Sequence, residues 1–305
     1  MSLHIKHLIG LQNVPKEDIE IILKSTKKFK EHFQTSKEKL TDLSGKTIAN
    51  IFFEDSTRTR TSFELAEKRL SADVLNFSSS SSSLSKGESF KDTVKNIEAM
   101  NIDMIVVRHS SAGIPFYLTK YSQSVIINAG DGAHEHPTQG LLDIYTIKEK
   151  LGRIKGLNIC IVGDIAHSRV ALSNLFGLKT LGANVSFCGP STMIPRDIEK
   201  FGAKVYNNID KAIRENDILN VLRIQLERDA GKNFPSIREY TNYFGITEQR
   251  IKNNNENILI LHPGPINRGV ELSPEVADGN NQVILDQVTN GVAVRMAVLS
   301  LLGKN

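Results

Sequence analysis

The sequence predicts an α/β fold of two open parallel-sheet α/β domains joined by interdomain helices. Short and nearly continuous apolar runs alternate with helical segments along the chain, a pattern typical of parallel strands covered on both faces by crossover helices. The alternation occurs in two successive series, separated by one helical segment at 138–151. A chain of 305 residues is also long enough for two domains that each have a core.

The first series opens with a helix after Pro15, for which Asn13 is the expected N-cap. Its apolar positions Ile19, Ile22 and Leu23 predict a buried stripe. The elements expected after this helix are strand 47–53, helix 60–70, strand 74–77, helix 88–100 and strands 104–107 and 125–128. Strands that alternate with helices in this way imply right-handed crossovers.

The second series follows the helix 138–151. Its expected elements are strand 158–163, helix 170–181 and strands 184–188, 203–206, 218–221 and 258–261. The last segment, 283–302, predicts a long amphipathic helix that packs back on the first domain. We therefore assign residues 1–136 and 290–305 to one domain and residues 137–289 to the other.

Charge and cysteine content argue against several classes of protein. The 38 basic and 34 acidic residues leave a formal charge of +4, and aromatic residues make up only 6%, whereas nucleic-acid-binding proteins more often carry basic blocks interleaved with aromatics. Cys160 and Cys188 lie in apolar runs, which predicts buried thiols. No run approaches eighteen apolar residues, and residues 1–15 contain no continuous apolar signal region. The sequence thus predicts a cytoplasmic protein with no membrane segment and no nucleic-acid partner.

Two short patterns resemble ligand motifs but do not meet their requirements. Gly-Lys-Thr at 45–47 resembles the end of a P-loop, but Leu40 stands where that motif needs glycine and the triplet precedes a strand. His-Glu-His at 134–136 has the wrong spacing for two metal ligands on one helix face. Neither pattern predicts a nucleotide or zinc site.

The clearest functional signal is Phe-Phe-Glu-Asp-Ser-Thr-Arg-Thr-Arg-Thr-Ser-Phe-Glu at 52–64. It joins a predicted strand to a predicted helix, and a helix start holds phosphate through its free amides and its macrodipole. Ser56, Thr57 and Thr59 add hydroxyl groups, and Arg58 adds a bidentate donor. The alternative interpretation is an N-capped helix with incidental arginines.

This segment resembles the Ser-Thr-Arg-Thr-Arg phosphate loop of the aspartate/ornithine carbamoyltransferase family, and the likeness continues in order over almost the whole chain. Ser82 or Ser83, with Lys86, is similar to the family's mobile loop, which enters the active site of the neighbouring subunit. Arg108 matches the arginine that contacts both phosphate and carbonyl. His-Pro-Thr-Gln at 136–139 matches the family's His-Pro-x-Gln, whose histidine polarises the carbamoyl carbonyl and whose glutamine helps to hold the carbamoyl amide.

Three segments of the second half resemble the aspartate-specific members of the family. Arg169 matches the arginine that binds one acceptor carboxylate, and Arg-Ile-Gln-Leu-Glu-Arg at 223–228 places Arg223 and Gln225 on the other. His-Pro-Gly-Pro at 262–265 resembles the loop whose backbone lies near the acceptor amine, where ornithine enzymes carry His-Cys-Leu-Pro. Two arginines suit a dicarboxylate and would repel the cationic side chain of ornithine.

The resemblance implies a role for each matched residue. The implied catalytic residues are Arg58, Thr59, Lys86, Arg108 and His136. The residues implied for carbamoyl phosphate are Ser56, Thr57, Arg58, Thr59, Arg108, His136 and Gln139. The residues implied for aspartate are Lys86, Arg169, Arg223, Gln225, Gly264 and Pro265. Residues 1–136 with 290–305 would then be the carbamoyl phosphate-binding domain, and 137–289 the aspartate-binding domain.

The activity that the resemblance implies is transfer of a carbamoyl group from carbamoyl phosphate to the amine of L-aspartate, an early step of pyrimidine biosynthesis. The expected assembly is a homotrimer with shared active sites, and regulatory chains are a possible further partner. No cofactor and no metal is expected, since a neutral amine attacks and the leaving phosphate can take the proton.

Three other functions remain open at this point: a carbamoyltransferase for another amino acid, a catalytically inactive scaffold relative, and a phosphometabolite-binding module. A phosphometabolite-binding module would not explain why two arginines, Arg169 and Arg223, match the acceptor-binding positions. Two departures from the family pattern are expected to change affinity only. Asp55 stands where a proline is common in the phosphate loop, and Gly264 replaces a leucine found in some relatives.

Overall fold

The structure is a computed structural model that describes residues 2–54, 56–78, 90–224 and 236–304. The described chain forms two compact units. Unit 1 comprises Met1–Tyr145 and Val288–Asn305, and unit 2 comprises Thr146–Gln287. Several residues singled out above lie outside the described ranges, namely Asp55, Ser82, Ser83, Lys86 and Gln225.

Unit 1 contains a four-stranded parallel sheet of order β2-β1-β3-β4. The strands are β1 (Thr47–Phe52), β2 (Asp73–Ser78), β3 (Met104–His109) and β4 (Val125–Asp131). The helices are α1 (Lys16–Thr35), α2 (Thr57–Arg69), α3 (Phe90–Glu98), α4 (Ile114–Leu118) and α5 (Pro137–Leu151). The central strands β1 and β3 are buried over most of their length, as expected of strands covered on both faces.

Unit 2 contains a five-stranded parallel sheet of order β7-β6-β5-β8-β9. The strands are β5 (Asn158–Val162), β6 (Asn184–Cys188), β7 (Lys204–Tyr206), β8 (Ile218–Val221) and β9 (Leu259–Leu261). The helices are α6 (Arg169–Thr180), α7 (Ile209–Glu215), α8 (Ile237–Phe244), α9 (Glu248–Asn254) and α10 (Pro274–Ala277). The last helix, α11 (Ile284–Leu302), begins in unit 2 and lies mostly in unit 1. The chain leaves unit 1 within α5 and returns to it within α11.

The predicted fold class is confirmed, with two parallel-sheet α/β units. Both cysteines are fully buried thiols, as expected. The expectation for the first helix is wrong in one detail, because α1 begins at Lys16 and Pro15 is the N-cap, which leaves Asn13 outside the helix. Among the described residues, no helix combines the length and the apolarity needed to cross a membrane.

Candidate functional site

The N-terminus of α2 lies just beyond the carboxyl end of β1. Ser56 is the N-cap, and its carbonyl accepts the backbone N–H of Arg60 at 3.0 Å, while its side chain forms no capping bond with the described residues. The first turn contains no acidic residue, and Thr57 and Arg58 are exposed. This helix start therefore offers amides, hydroxyls and the positive end of the helix dipole to an anion.

Arg108 lies beside this helix start because β3 is the neighbour of β1. Phe52 is its register partner, and the Phe53 N–H donates to the Arg108 carbonyl at 2.9 Å. The Arg108 Nη1 donates to the carbonyl of Ala129 in β4 at 3.0 Å, and its Nε lies 3.4 Å from Glu54 Oε2. Contacts from both neighbouring strands thus orient the guanidinium group.

His136 and Gln139 follow β4, the strand next to β3, because β4 leads into α5. His136 is 4% exposed, and its carbonyl accepts the N–H groups of Gln139 at 2.9 Å and Gly140 at 3.1 Å. The Gln139 Nε2 donates to Asp143 Oδ1 at 3.0 Å. The first turn of α5 therefore fixes both predicted residues at the same edge of the sheet as Arg108.

Two other histidines of this region carry opposite pKa shifts. Burial lowers the pKa of His109, against the opposing charges of Glu54 and Asp131, and its Nδ1 accepts the Ser111 N–H at 2.8 Å. A hydrogen bond to Asp131 raises the pKa of His134. His109 is therefore favoured as a neutral packing residue.

Arg295, in α11, was not predicted as a site residue, although it adjoins α2. It is 4% exposed, donates from Nη1 to Ser62 Oγ and to the Gly291 carbonyl, both at 3.0 Å, and stacks 4.9 Å from the centre of the Phe63 ring. Burial, with the charge of Arg108 second, lowers its pKa to about 10. Its Nε has no hydrogen-bond partner within the described parts of the chain. The only sequence signal was its position as the single basic residue of an apolar helix.

Unit 2 carries the predicted acceptor residues at the carboxyl edge of its own sheet. Arg169 is the first residue of α6 and is 6% exposed. Ser168 caps this helix, since its Oγ accepts the N–H groups of Val170 at 3.2 Å and Ala171 at 3.3 Å. The cap fixes the backbone that carries the Arg169 guanidinium at the end of β5.

Arg223 follows β8, the neighbour of β5. The Leu222 N–H donates to the Val162 carbonyl at 2.8 Å, so the two strands stay paired up to their ends. Arg223 is half-buried immediately after this bond. Adjacent strands of one parallel sheet thus bring Arg169 and Arg223 to a common edge.

The His-Pro-Gly-Pro loop follows β9, the strand next to β8. A network of buried hydrogen bonds holds this loop in place. His262 is fully buried, and its Nε2 lies 3.1 Å from Glu271 Oε1, while its Nδ1 accepts the Gly264 N–H at 2.8 Å. Glu271 also accepts the Asn267 N–H at 2.7 Å. Gly264 has φ +61°, a left-handed conformation that favours glycine, and its peptide bond to Pro265 is cis. No sequence motif singles out Glu271, whose role depends on tertiary contacts.

The predicted site residues that the structure describes therefore form two groups. The group in unit 1 consists of Ser56, Thr57, Arg58, Thr59, Arg108, His136 and Gln139. The group in unit 2 consists of Arg169, Arg223, Gly264 and Pro265. Lys86 and Gln225 lie outside the described residues, so their predicted roles stay predictions.

Comparison with known proteins yields matches over both units. Residues 6–149 match the family model described as aspartate/ornithine carbamoyltransferase, carbamoyl-P binding domain. Residues 155–302 match the Asp/Orn binding domain of the same family. The aspartate carbamoyltransferase catalytic subunit of Cytophaga hutchinsonii is 57% identical over 304 residues, which cover 100% of this chain and 99% of that protein.

Solved structures give similar coverage. The aspartate transcarbamoylase of Trypanosoma cruzi, in complex with carbamoyl phosphate and aspartate, is 28% identical with a TM-score of 0.86, covering 97% of this chain and 96% of that one. The ornithine carbamoyltransferase of Pyrococcus furiosus is 29% identical with a TM-score of 0.87, covering 99% and 98%. Backbone similarity therefore does not distinguish a match to an aspartate enzyme from a match to an ornithine enzyme.

Proposed function

Because this chain belongs to the aspartate/ornithine carbamoyltransferase family, we propose that it is an aspartate carbamoyltransferase. It transfers the carbamoyl group of carbamoyl phosphate to the amine of L-aspartate and releases N-carbamoyl-L-aspartate and phosphate. The 57% identity to a catalytic subunit of that activity, over the full chain, supports this function. The product would enter pyrimidine biosynthesis.

The observation that carries the choice of acceptor is the pair of arginines in the segments that follow two adjacent strands of unit 2. Arg169 begins α6 after β5, and Arg223 follows β8. Aspartate presents two carboxylates, and each guanidinium can bind one of them bidentately. Ornithine would instead bring a second cation towards these two, which electrostatic repulsion disfavours. We assign Gln225 and Lys86 to the same substrate, and Gly264 and Pro265 to the backbone beside its amine.

The helix start of α2 would hold the phosphate of carbamoyl phosphate. Its first-turn amides, the hydroxyls of Ser56, Thr57 and Thr59, and the exposed Arg58 are donors of the kind a dianion requires. The buried guanidinium of Arg295, behind the same helix, adds positive charge. Unit 1 would thus be the carbamoyl phosphate-binding part of the chain, and unit 2 the aspartate-binding part.

The reaction forms one bond and breaks another at the carbamoyl carbon. The lone pair of the neutral aspartate amine forms the new N–C bond, the carbonyl oxygen takes up negative charge, and the C–O bond to phosphate then breaks. Phosphate leaves with that electron pair and takes the amine proton. Thr59, Arg108 and His136 would donate to the transient oxyanion, and one such donor is typically worth ~3 kcal/mol of the barrier. Arg58 and Lys86 would offset the charge of the departing phosphate.

The proposal includes a homotrimer in which Lys86 of one subunit serves the site of its neighbour. The edge strand β2 supports an intersubunit contact, because Leu75 on β2 and Leu65 on α2 are 38% and 37% exposed. The cytoplasmic location and possible regulatory chains stay predictions.

A steady-state assay tests the function directly. Purified protein with carbamoyl phosphate should form carbamoyl-aspartate from aspartate and no citrulline from ornithine, and EDTA should leave the rate unchanged. Turnover with ornithine alone would refute the acceptor assignment. Absence of turnover with either, despite binding of carbamoyl phosphate, would favour the inactive relative.

A further inference from the structure

We propose that Glu271 is a positioning residue for the acceptor part of the site, holding the loop 262–267 in the conformation that meets aspartate. The proposal rests on the function proposed above, since it takes aspartate as the acceptor. Glu271 is 0% exposed, so it acts through other residues and does not touch the substrate.

The burial of this carboxylate indicates a role beyond stability. Two donors, His262 Nε2 and the Asn267 N–H, converge on Oε1 at 3.1 and 2.7 Å. Oε2 is buried and has no hydrogen-bond partner among the residues described. Taking a charge out of water with one oxygen unsatisfied costs free energy that an apolar side chain of similar size would avoid. An acidic residue here is therefore explained by the two donors that it holds.

The first of these donors fixes the backbone of Gly264. A backbone amide can only donate, so the Gly264 N–H bond of 2.8 Å makes His262 Nδ1 an acceptor. The proton of the neutral ring must then be on Nε2, where it is donated to Glu271. Glu271 thus stabilises the one tautomer that can accept from Gly264. A hydrogen-bonded chain runs from the buried carboxylate through the ring to the loop.

The second donor connects the loop to the neighbouring strand. The Asn267 N–H binds Glu271, and the Asn267 Nδ2 donates to the carbonyl of Ile224 at 3.0 Å. Ile224 is the residue after Arg223. One carboxylate oxygen therefore anchors both the loop after β9 and, through Asn267, the segment that carries an acceptor arginine after β8.

Removing this anchor should weaken aspartate binding and leave the phosphate part of the site unchanged. We expect Glu271→Ala to raise the KM for aspartate about tenfold, the factor for one lost buried hydrogen bond. The KM for carbamoyl phosphate should stay within about twofold, and kcat should change little, because the loop binds ground state and transition state alike. Glu271→Gln should restore most of the aspartate affinity, since one amide oxygen can accept both bonds.

The matched control is Glu275→Ala, which removes an exposed acid four residues along the same segment and should change neither KM. Asn267→Ala removes the side-chain hydrogen bond to Ile224 and should raise the KM for aspartate without changing the KM for carbamoyl phosphate. This variant tests whether the loop 262–267 is held for aspartate binding even if Glu271→Ala fails to fold. In the double variant the two effects should be less than additive, because they act on the same loop.

Hydrogen exchange of the loop amides 262–267 gives a readout that needs no activity. Exchange should be faster in Glu271→Ala than in wild type and in Glu275→Ala. Unchanged exchange, or equal loss of affinity for both substrates, would overturn the proposal. If wild type showed no turnover with aspartate, the proposed function would fail. Faster exchange in Glu271→Ala would still show that Glu271 holds the conformation of the loop 262–267.

Discussion

At the scale of single residues, the two arginines proposed to bind the acceptor, Arg169 and Arg223, differ in how they are held. Arg169 is almost fully buried at a capped helix start, whereas Arg223 is half-buried in the segment after β8. Preorganisation lowers the entropic cost of binding. We therefore expect the guanidinium of Arg169 to be in place before a carboxylate binds, and the position of the Arg223 guanidinium to depend more on the segments around it.

The first prediction concerns Arg223→Ala. Aspartate should bind more weakly by on the order of 2–5 kcal/mol, because a desolvated carboxylate loses its charged partner. The KM for carbamoyl phosphate should stay within about twofold of the wild-type value, because the residues proposed to bind it lie in unit 1. Initial-rate kinetics with each substrate varied in turn measure both, with Arg214→Ala, an exposed arginine of unit 2, as the control. Loss of carbamoyl phosphate affinity with aspartate affinity intact would contradict the division of roles.

A second prediction concerns Arg295. Replacement by glutamine should raise the KM for carbamoyl phosphate by roughly tenfold, equivalent to ~1.4 kcal/mol, because it removes buried positive charge behind α2 and the charged donor to Ser62. The aspartate KM should change little. Lys304→Gln, just beyond the end of the same helix and exposed, serves as control. If phosphate inhibition and carbamoyl phosphate affinity were both unaffected, Arg295 would serve packing alone.

At the scale of elements, α2 combines a helix start that we propose binds phosphate with a buried face that contains an acid. Glu67 is fully buried and accepts the Asn50 Nδ2 at 2.8 Å. Burial raises its pKa to about 8, from an ordinary value of 4.5. The same helix therefore carries exposed hydroxyls at one end and a protonated carboxyl group against β1.

This shift predicts how stability depends on pH. The folded state binds the Glu67 proton more tightly than the unfolded state, so its contribution is fully present below pH 4.5 and is lost as pH rises to about 8. The loss is at most ~1.4 kcal/mol per pH unit. Glu67→Gln should gain stability relative to wild type over this interval, measured by urea unfolding at several pH values. Glu64→Gln, on the same helix, should not. Parallel pH profiles for wild type and Glu67→Gln would refute the prediction.

The regular elements were largely predictable because parallel strands are continuous apolar runs. The shorter helices α4, α7, α8, α9 and α10 were not predicted, since four to eight residues give too little periodicity, even though Asn208 caps α7. The N-cap of α1 was misplaced because Pro15 already has the extended backbone that a cap requires. In the candidate site, short sequence motifs identified the residues that match the motifs of the family. Glu271 and Arg295 lie outside those motifs, because only tertiary packing brings them to His262 and Ser62.

At the scale of the assembly, the proposed sharing of active sites between subunits can be tested with mixed trimers. Arg58→Ala and Lys86→Ala should each be nearly inactive as pure trimers. In mixed trimers, a Lys86→Ala chain supplies an intact Arg58 and its neighbour an intact Lys86, so one direction of contact rebuilds a site. Random equal mixing should leave roughly a quarter of the sites whole.

Refolding the two variants together should recover activity near that fraction, while refolding each alone should not. Mass spectrometry of the mixed trimers would verify that subunits have exchanged. If exchange occurred without recovery of activity, Lys86 would act within its own chain or not at all.

The path of the chain through its two units also has a consequence for folding. Unit 2 is one continuous stretch, whereas unit 1 is completed only by Val288–Asn305. Unit 2 can therefore fold while unit 1 still waits for α11, whose Arg295 binds Ser62 from 233 residues earlier. Domains generally fold as units, so the domain that begins the chain should be the last to finish. A chain truncated before residue 288 would then combine a complete unit 2 with an exposed unit 1 core, which is the state that a chaperone would recognise.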